Sequence, residues 1–346
     1  MGGAESLVMP FARGIDRNGY ELFVCCLTTI GGNVNAPELD VVNLGARNLR
    51  DVAAFRRLLR FIRDHDIDLI HAHLAYAATW AALASRITGV PSVATLHVAP
   101  PASGRARFRD RLMRFVLRRW SSQVIAVSDA LRRQYGDERF LVAHNGIDVD
   151  LFGGSRQESR ELITRELGIP LGAKIVATVS VLREGKGVEV LLRAFERIDD
   201  AYLLIIGDGP KREEWQALAK NDRIRWAGFR RDVHALLPAC DLFVLASFDD
   251  AFPTVLLEAM AAGLPIVASR VGGIPEITDE VLVPPGDAEA LGAAIRELLA
   301  DDGRRRAMSE SARARARERF STAAWIARLE EIYSRVLQAP RGADRS

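Results

Sequence analysis

The chain is poor in several things, and each shortage closes off a class of protein. It has three cysteines in 346 residues, Cys25, Cys26 and Cys240. Two are adjacent and the third is remote, which suits neither a disulfide framework nor a cysteine zinc site and reads as core thiols in a reducing compartment. No apolar run approaches the roughly 20 residues of a spanning helix, and the start MGGAESLVMPFARG has no basic segment followed by a long apolar one. The expectation is a cytoplasmic chain, unprocessed and without a membrane span. Lysine is nearly absent, at 174, 186, 211 and 220 only, while arginine is abundant, a skew that reads as genome composition. There is no low-complexity tract, and 49% hydrophobic with 27% charged residues is a globular composition. The net charge is only +2, but residues 1–145 carry 19 basic against 13 acidic side chains and the remainder 28 against 32. That asymmetry points away from a general nucleic-acid binder and towards one half meeting something anionic.

What is present is alternation. Short β-rich apolar runs alternate with helical patterns from end to end, the signature of parallel sheets covered by helices. The first half offers strands at 21–28, 39–44, 67–73, 92–98, 122–128 and 139–144. The series restarts after the polar segment NGIDVDLFGGSRQES, with strands at 174–180, 201–207, 223–229, 240–246 and 265–269. The pattern predicts two Rossmann-like doubly wound α/β domains, 1–148 and 149–319, facing across a cleft between the carboxyl ends of their strands. Residues 287–337 read as helix throughout, with a last helix at about 320–337 that packs back on the first domain, and the tail beyond Pro340 as disordered. A doubly wound domain begins with a central strand, whereas this chain opens on a Gly-Gly loop and a helix, so a first strand appears as missing from the N-terminal domain.

One side chain stands out. Glu258 lies in the helix predicted over 253–262, otherwise nearly all apolar: Val255, Leu256, Leu257, Ala259, Met260 and Ala261 cover most of its circumference. A carboxylate there must be paired, hydrogen-bonded or functional, since burying it bare costs several kcal/mol. It has company. Asp250 precedes the helix, whose first N–H groups, over 252–255, form a ready anion site. The segment VLREGKG at 181–187 follows the first strand of this half and puts Arg183 and Lys186 on the same sheet edge. Two cations, helix N–H groups and two carboxylates together describe a site for a phosphate and for hydroxyls, that is, for a nucleotide sugar.

The chain resembles the retaining glycosyltransferases of family 4, with the GT-B fold. The resemblance covers essentially all of it, through GGAE at 2–5, DLIHAHL at 68–74, TLH at 95–97, VIAVSDALR at 124–132, HNGID at 144–148, LLIIGDGP at 203–210, WAGFRRDV at 226–233 and FPTVLLEAMAAGLPIVASRVGGIPEI at 252–277. It implies a nucleotide-diphosphate-sugar donor, an acceptor hydroxyl of a sugar or lipid-linked glycan, and no metal or other cofactor. By the same resemblance Glu258 binds the ribose, and Asp250 with Ala251, Phe252, Pro253 and Thr254 holds the transferred sugar. Lys186 binds the diphosphate, Gly2 and Gly3 belong to a loop that closes on it, His97 stands beside the sugar, and Arg230 lies near the base. Asp250, Lys186, Arg183 and His97 form the candidate catalytic set. The chain departs from the family where Asp250 replaces the usual Glu and Val181 the usual Arg, a role that Arg183 is placed to take. A sugar-nucleotide 2-epimerase of the same fold and a non-catalytic degenerate transferase are the alternatives.

Other patterns carry less. DVD at 148–150 lies at the domain linker, where an Asp-x-Asp metal motif is not expected, and HAH at 71–73 has no evident further metal ligand. GDGP at 207–210 has Arg212 where a dinucleotide fingerprint needs its third glycine. HNG at 144–146 reads as a hinge turn. The segment 104–120 holds seven arginines against Asp110, with Phe108, Leu112, Phe115, Val116 and Trp120 expected on one face. It reads either as a sheet-covering helix with solvated arginines or as a contact for an anionic membrane, with the protein peripheral on its inner face.

Overall fold

The computed structural model describes residues 7–28, 41–100 and 104–339, with side chains from Phe108 onward in the last stretch. Gly2, Gly3 and the tail beyond Pro340 therefore lie outside the described residues. The chain divides into two compact units, one formed by the residues up to Asn145 and from Thr322, the other by Gly146–Ser321.

The first unit runs α1 (Val8–Gly14), β1 (Val24–Cys26), β2 (Val41–Asn43), α2 (Val52–Asp64), β3 (Ile70–His73), α3 (Ala75–Thr88), β4 (Ser92–Leu96), α4 (Gly104–Trp120), β5 (Gln123–Ala126), α5 (Asp129–Tyr135) and β6 (Leu141–Val142). Strands β3 to β6 form a parallel sheet in sequence order, and β1 and β2 form a separate parallel pair. Among the described residues no strand pairs the two sets with each other. Both sets nevertheless lean on one apolar cluster, in which Cys25, Val42 and Ile70 pack around Trp80, Leu58, Leu59 and Ile62. Local chemistry explains α2, whose N-cap Asp51 accepts a hydrogen bond from Ala54 N and whose Ala54, Leu58, Leu59 and Ile62 line one buried face.

The second unit runs α6 (Arg156–Leu167), β7 (Lys174–Val179), α7 (Val188–Phe195), β8 (Ala201–Ile206), α8 (Arg212–Leu218), β9 (Ile224–Gly228), α9 (Val233–Leu236), β10 (Leu242–Leu245), α10 (Thr254–Ala261), β11 (Ile266–Ser269), α11 (Ile274–Ile277), β12 (Leu282–Val283), α12 (Ala288–Ala300) and α13 (Asp302–Phe320). Its six strands lie in the order β12-β11-β10-β7-β8-β9, all parallel. That is the doubly wound order, and its central strands are continuous apolar runs because helices cover both faces. The chain reverses direction across the sheet between β7 and β10, which pair through Val176 and Ala177. Helix α14 (Thr322–Gln338) belongs to the first unit, where Trp325, Ile326, Leu329, Ile332 and Tyr333 pack on Leu7, Val93 and Ile125. Burying each such side chain stabilises by about 1.5–3 kcal/mol relative to leaving it in water.

Three details differ from the sequence expectation. Strand β12 was not foreseen, because its two residues sit in a segment, VLVPPGD, dominated by turn-forming Pro and Gly. Helix α4 spans the expected residues, but its apolar side chains divide between two faces. Val116 and Leu117 are buried, whereas Phe108, Leu112 and Phe115 are 72%, 57% and 60% exposed. Two ion pairs accompany the buried face, Arg114 to Asp110 within the helix at 2.9 Å and Arg118 to Asp137 at 2.7 Å. The cysteines also divide, with Cys240 buried and Cys25 and Cys26 only half-buried.

Candidate active site

In an open parallel sheet, ligands bind beyond the carboxyl ends of the strands where the winding reverses. In the second unit that place lies beyond β7 and β10, and the two loops that start there are stitched together. Phe248 N donates to the Gly185 carbonyl at 2.9 Å. Gly187 has φ +67°, and a Cβ on it would stand 1.9 Å from the Ala246 carbonyl oxygen, so only glycine lets the loops approach this closely. The consequence is the ion pair Lys186 Nζ to Asp250 Oδ2 at 2.7 Å, with both side chains largely buried. An ammonium has three donors and this contact uses one. Asp250 is held from behind as well, since its carbonyl accepts from Gly273 N at 3.0 Å and Gly272, φ +50°, leaves it room. Arg183 is exposed on the same loop; it meets the Glu184 carbonyl at 3.4 Å and has no acid partner among the described residues.

Helix α10 begins at Thr254 with no side-chain cap. The N–H groups of Thr254 and Val255 thus have no helical acceptor. The expected row over 252–255 is shorter than the sequence reading supposed, because Pro253 has no N–H to give. One turn on, Glu258 is half-buried, and its carboxylate has neither a hydrogen-bond nor an ion-pair partner among the described residues. Burial pushes its carboxyl up to about 7. Its neighbours Leu256, Leu257, Ala259, Met260 and Ala261 are buried. A poorly solvated, unpartnered carboxylate on an apolar helix is an acceptor for donors that the protein itself does not supply.

Arg230 is placed differently. It follows β9, at the far edge of the sheet from the reversal, and its guanidinium is engaged by both oxygens of Asp232, at 2.8 and 2.6 Å, and by Glu166 at 2.6 Å. The hydrogen bonds from those acids raise its already high pKa further. The exposed groups of that loop are Phe229 and Arg231 instead. Ala251 is half-buried and Phe252 and Pro253 are buried, with the Phe252 ring edge-on to Phe320 at 5.8 Å. Val181 is 48% exposed and apolar, so the cation of this loop is carried by Arg183 and Lys186.

The first unit holds a second polar cluster, of another kind. His71 and His73 alternate on β3 and so share one side of the strand, and His97 follows β4. His73 Nδ1 lies 2.9 Å from His97 Nε2, while His71 contacts Tyr333 Oη at 2.6 Å and Thr95 Oγ1 at 2.8 Å. Burial, with the neighbouring rings adding to it for His71 and His97, lowers all three: His73 to about 4, His97 to about 3 and His71 well below the ordinary value. The rings are neutral at pH 7. Immediately after His73 the chain turns at Leu74 with φ +70°, a conformation a bulky side chain rarely adopts, which costs on the order of 1–3 kcal/mol and persists only where its surroundings impose it. Sequence reasoning singled out His97 but weighed HAH only as a metal motif. The alternation of two histidines on one strand, next to a strand ending in TLH, was the available signal.

Comparisons with known proteins bear on the family and the fold. Residues 159–315 match the family described as Glycosyl transferases group 1, and residues 1–151 the family described as Glycosyltransferase Family 4. The N-acetyl-alpha-D-glucosaminyl L-malate synthase of Bacillus anthracis is 32% identical over 83% of this chain and 80% of its own length. The D-inositol 3-phosphate glycosyltransferase of Corynebacterium glutamicum is 32% identical over 96% and 91%. Among solved structures, HepE of Anabaena in complex with UDP is 25% identical, with a TM-score of 0.84 and 96% of each chain covered. With its parallel α/β units in the GT-B fold, the chain belongs to glycosyltransferase family 4 and is a glycosyltransferase.

Proposed function

We propose that the enzyme transfers a sugar from a nucleoside-diphosphate sugar to an acceptor hydroxyl of a glycan or glycolipid, with retention of anomeric configuration and without a metal. The observation that carries this reading is the set at the sheet reversal: unpartnered Glu258 beside a loop pair that presents Lys186, Asp250 and Arg183. Glu258 accepts from the two ribose hydroxyls. The diphosphate is met by Lys186, Arg183 and the N–H groups that open α10, and Asp250 takes sugar hydroxyls with the lone pairs that Lys186 leaves free. In the reaction the bond from the anomeric carbon to the diphosphate oxygen breaks, its electron pair stays on the diphosphate, and the acceptor oxygen bonds to the same face of that carbon. The acceptor proton passes to the departing phosphate. Charge builds on the leaving group, which is where preorganised cations and dipoles lower a barrier most. Within the first unit His97 is neutral, a group suited to a sugar hydroxyl and not to a phosphate. That HepE was solved with UDP supports the nucleotide part of this reading.

The test is product analysis with UDP-, GDP-, ADP- and dTDP-sugars and a panel of hydroxyl acceptors, with and without EDTA. A product of retained configuration, unaffected by EDTA, is expected. An inverted linkage, a requirement for metal, or an epimerised donor formed without acceptor would overturn it.

A second reading concerns α4. Phe108, Leu112 and Phe115 recur at helical spacing on its exposed face, among the exposed Arg109, Arg111 and Arg119, which have no acid partner among the described residues. No described helix is long and apolar enough to cross a membrane. An apolar stripe flanked by unpaired arginines fits the surface of an anionic bilayer. Flotation with phosphatidylglycerol vesicles at low salt should carry the protein upward, and the triple change Phe108→Ser, Leu112→Ser, Phe115→Ser should leave it behind. Wild-type protein that stays at the bottom with anionic vesicles sinks the idea.

A further inference from the structure

We infer that His73 is a positioning residue for His97, holding that ring in one tautomer so that its Nδ1 faces a sugar hydroxyl as a hydrogen-bond acceptor. The inference rests on the reading of His97 as a sugar-facing group. It is carried by the polar contacts inside the first unit. His97 uses Nε2 on His73 Nδ1 at 2.9 Å, and its Nδ1 has no partner among the described residues. Since both rings are neutral, exactly one of the two facing nitrogens carries a proton.

The hydroxyls of Tyr333 and Thr95 can each donate or accept, and the proton between His73 and His97 can sit on either ring, so the contacts fit more than one assignment. The inferred one is that in which Tyr333 donates to His71 Nδ1, His71 Nε2–H to Thr95 Oγ1 and His97 Nε2–H to His73 Nδ1. Each of the three rings then carries its proton on Nε2, the commoner tautomer of free histidine, and the only imidazole nitrogen of His97 left to a ligand is an acceptor. The rings are also packed against one another, His71 to His73 at 4.4 Å and His73 to His97 at 5.2 Å between centroids. His71 is clamped in turn from α14 by Tyr333, which is 2% exposed. A ring held by packing on one side and by a hydrogen bond at one nitrogen cannot flip without breaking both. Cationic rings would have to donate from both nitrogens, and no carboxylate among the described residues hydrogen-bonds to any of the three.

The experiment reads the tautomer directly, by 15N NMR of the histidine rings in the full-length labelled protein, with the His97 signals identified by their loss in His97→Gln. Wild type should show His97 as a single Nε2-protonated form. In His73→Leu the partner of that proton is gone, so His97 should become a mixture of tautomers, and kcat should fall roughly tenfold to hundredfold with donor KM within about threefold, as expected when orientation and not binding is lost. His73→Asn places a polar atom near the position of Nδ1; it should restore the single tautomer and bring kcat back to within about threefold of wild type. An unchanged His97 tautomer in His73→Leu, or unchanged kcat in that variant, overturns the inference. If wild type turns over no donor and acceptor, the functional reading of the site fails on its own, while the tautomer measurement still decides whether His73 governs His97.

Discussion

The two units offer ligands opposite kinds of polarity. At the sheet reversal of the second unit the groups are formal charges or nearly so: Lys186 against Asp250 at 2.7 Å, Arg183 in the open, and Glu258 with a carboxyl near 7. In the first unit the polar groups are three neutral imidazoles, a hydroxyl and a phenol, bonded to one another at 2.6–2.9 Å. The difference comes from both exposure and pairing: at the second-unit edge Arg183 stands in solvent and Lys186 is paired with Asp250, so charge survives there. The imidazoles are packed together without an acid, and protonating one would put an unpaired cation beside its neighbours. The lesson is chemical: a diphosphate leaving group needs charge, whereas a sugar hydroxyl needs only an oriented neutral partner.

The comparison breaks most sharply if charge at the second-unit edge is dispensable. Lys186→Ala should lower kcat by about 10²–10³-fold, the scale of losing one preorganised stabiliser of developing charge. Steady-state kinetics on the most active donor check it, and a loss under about threefold would place the leaving group elsewhere. Next in size is the backbone that aligns the pair. Gly187→Ala forces a Cβ against the Ala246 carbonyl at a φ of +67°, and should cost on the order of 2–4 kcal/mol of stability in the second unit. A melting temperature within about a degree of wild type would contradict the close approach.

The acidity of Glu258 sharpens the comparison further. Its ionised form is the better acceptor for hydroxyls, so nucleotide affinity should rise as pH climbs from 6 to 8, by up to about tenfold, with proton uptake by buffer on binding near pH 7. Calorimetry in buffers of different ionisation enthalpy measures this, and Glu258→Gln should flatten the profile. For folding the sign is opposite. The folded carboxyl titrates near 7 and the ordinary one near 4.5, so the protonated form favours the fold and its stabilising effect fades as pH rises between those values. Glu258→Gln should therefore gain stability over wild type above pH 7 and none below pH 4.5. The smallest effect is expected at Arg230. Since Asp232 and Glu166 engage its guanidinium, Arg230→Ala should lower stability by about 1 kcal/mol and leave nucleotide affinity within about twofold. A tenfold weaker Kd would restore Arg230 to the donor site.

Much of this was legible in the residues, and the illegible parts have physical causes. Every strand expected from an apolar run is present at its core, since a parallel sheet covered by helices demands unbroken β-rich segments. Strand β12 escaped because two residues followed by Pro-Pro-Gly carry no pattern. Glu258 could be read from its isolation on an apolar helix, and Asp250 and Lys186 from their loops, although nothing local says that Gly187 brings those loops into contact. Residues 71 and 333 are 262 positions apart, and no local pattern foretells their hydrogen bond. Helix α4 shows the limit of periodicity. It has apolar residues on two faces, and which one is buried depends on packing against α3, which no local pattern shows.

The central claim is that the second unit's sheet reversal holds a nucleoside diphosphate through Glu258. It is tested most directly by thermal shift of wild type and Glu258→Ala with UDP, GDP, ADP and dTDP and their common sugars. A ligand at a hundred times its Kd stabilises by about 2.7 kcal/mol, which is readily seen. One base should raise the melting temperature of wild type and fail to raise that of the variant. Equal shifts in both proteins, or none in either, would contradict the assignment of Glu258 to the nucleotide.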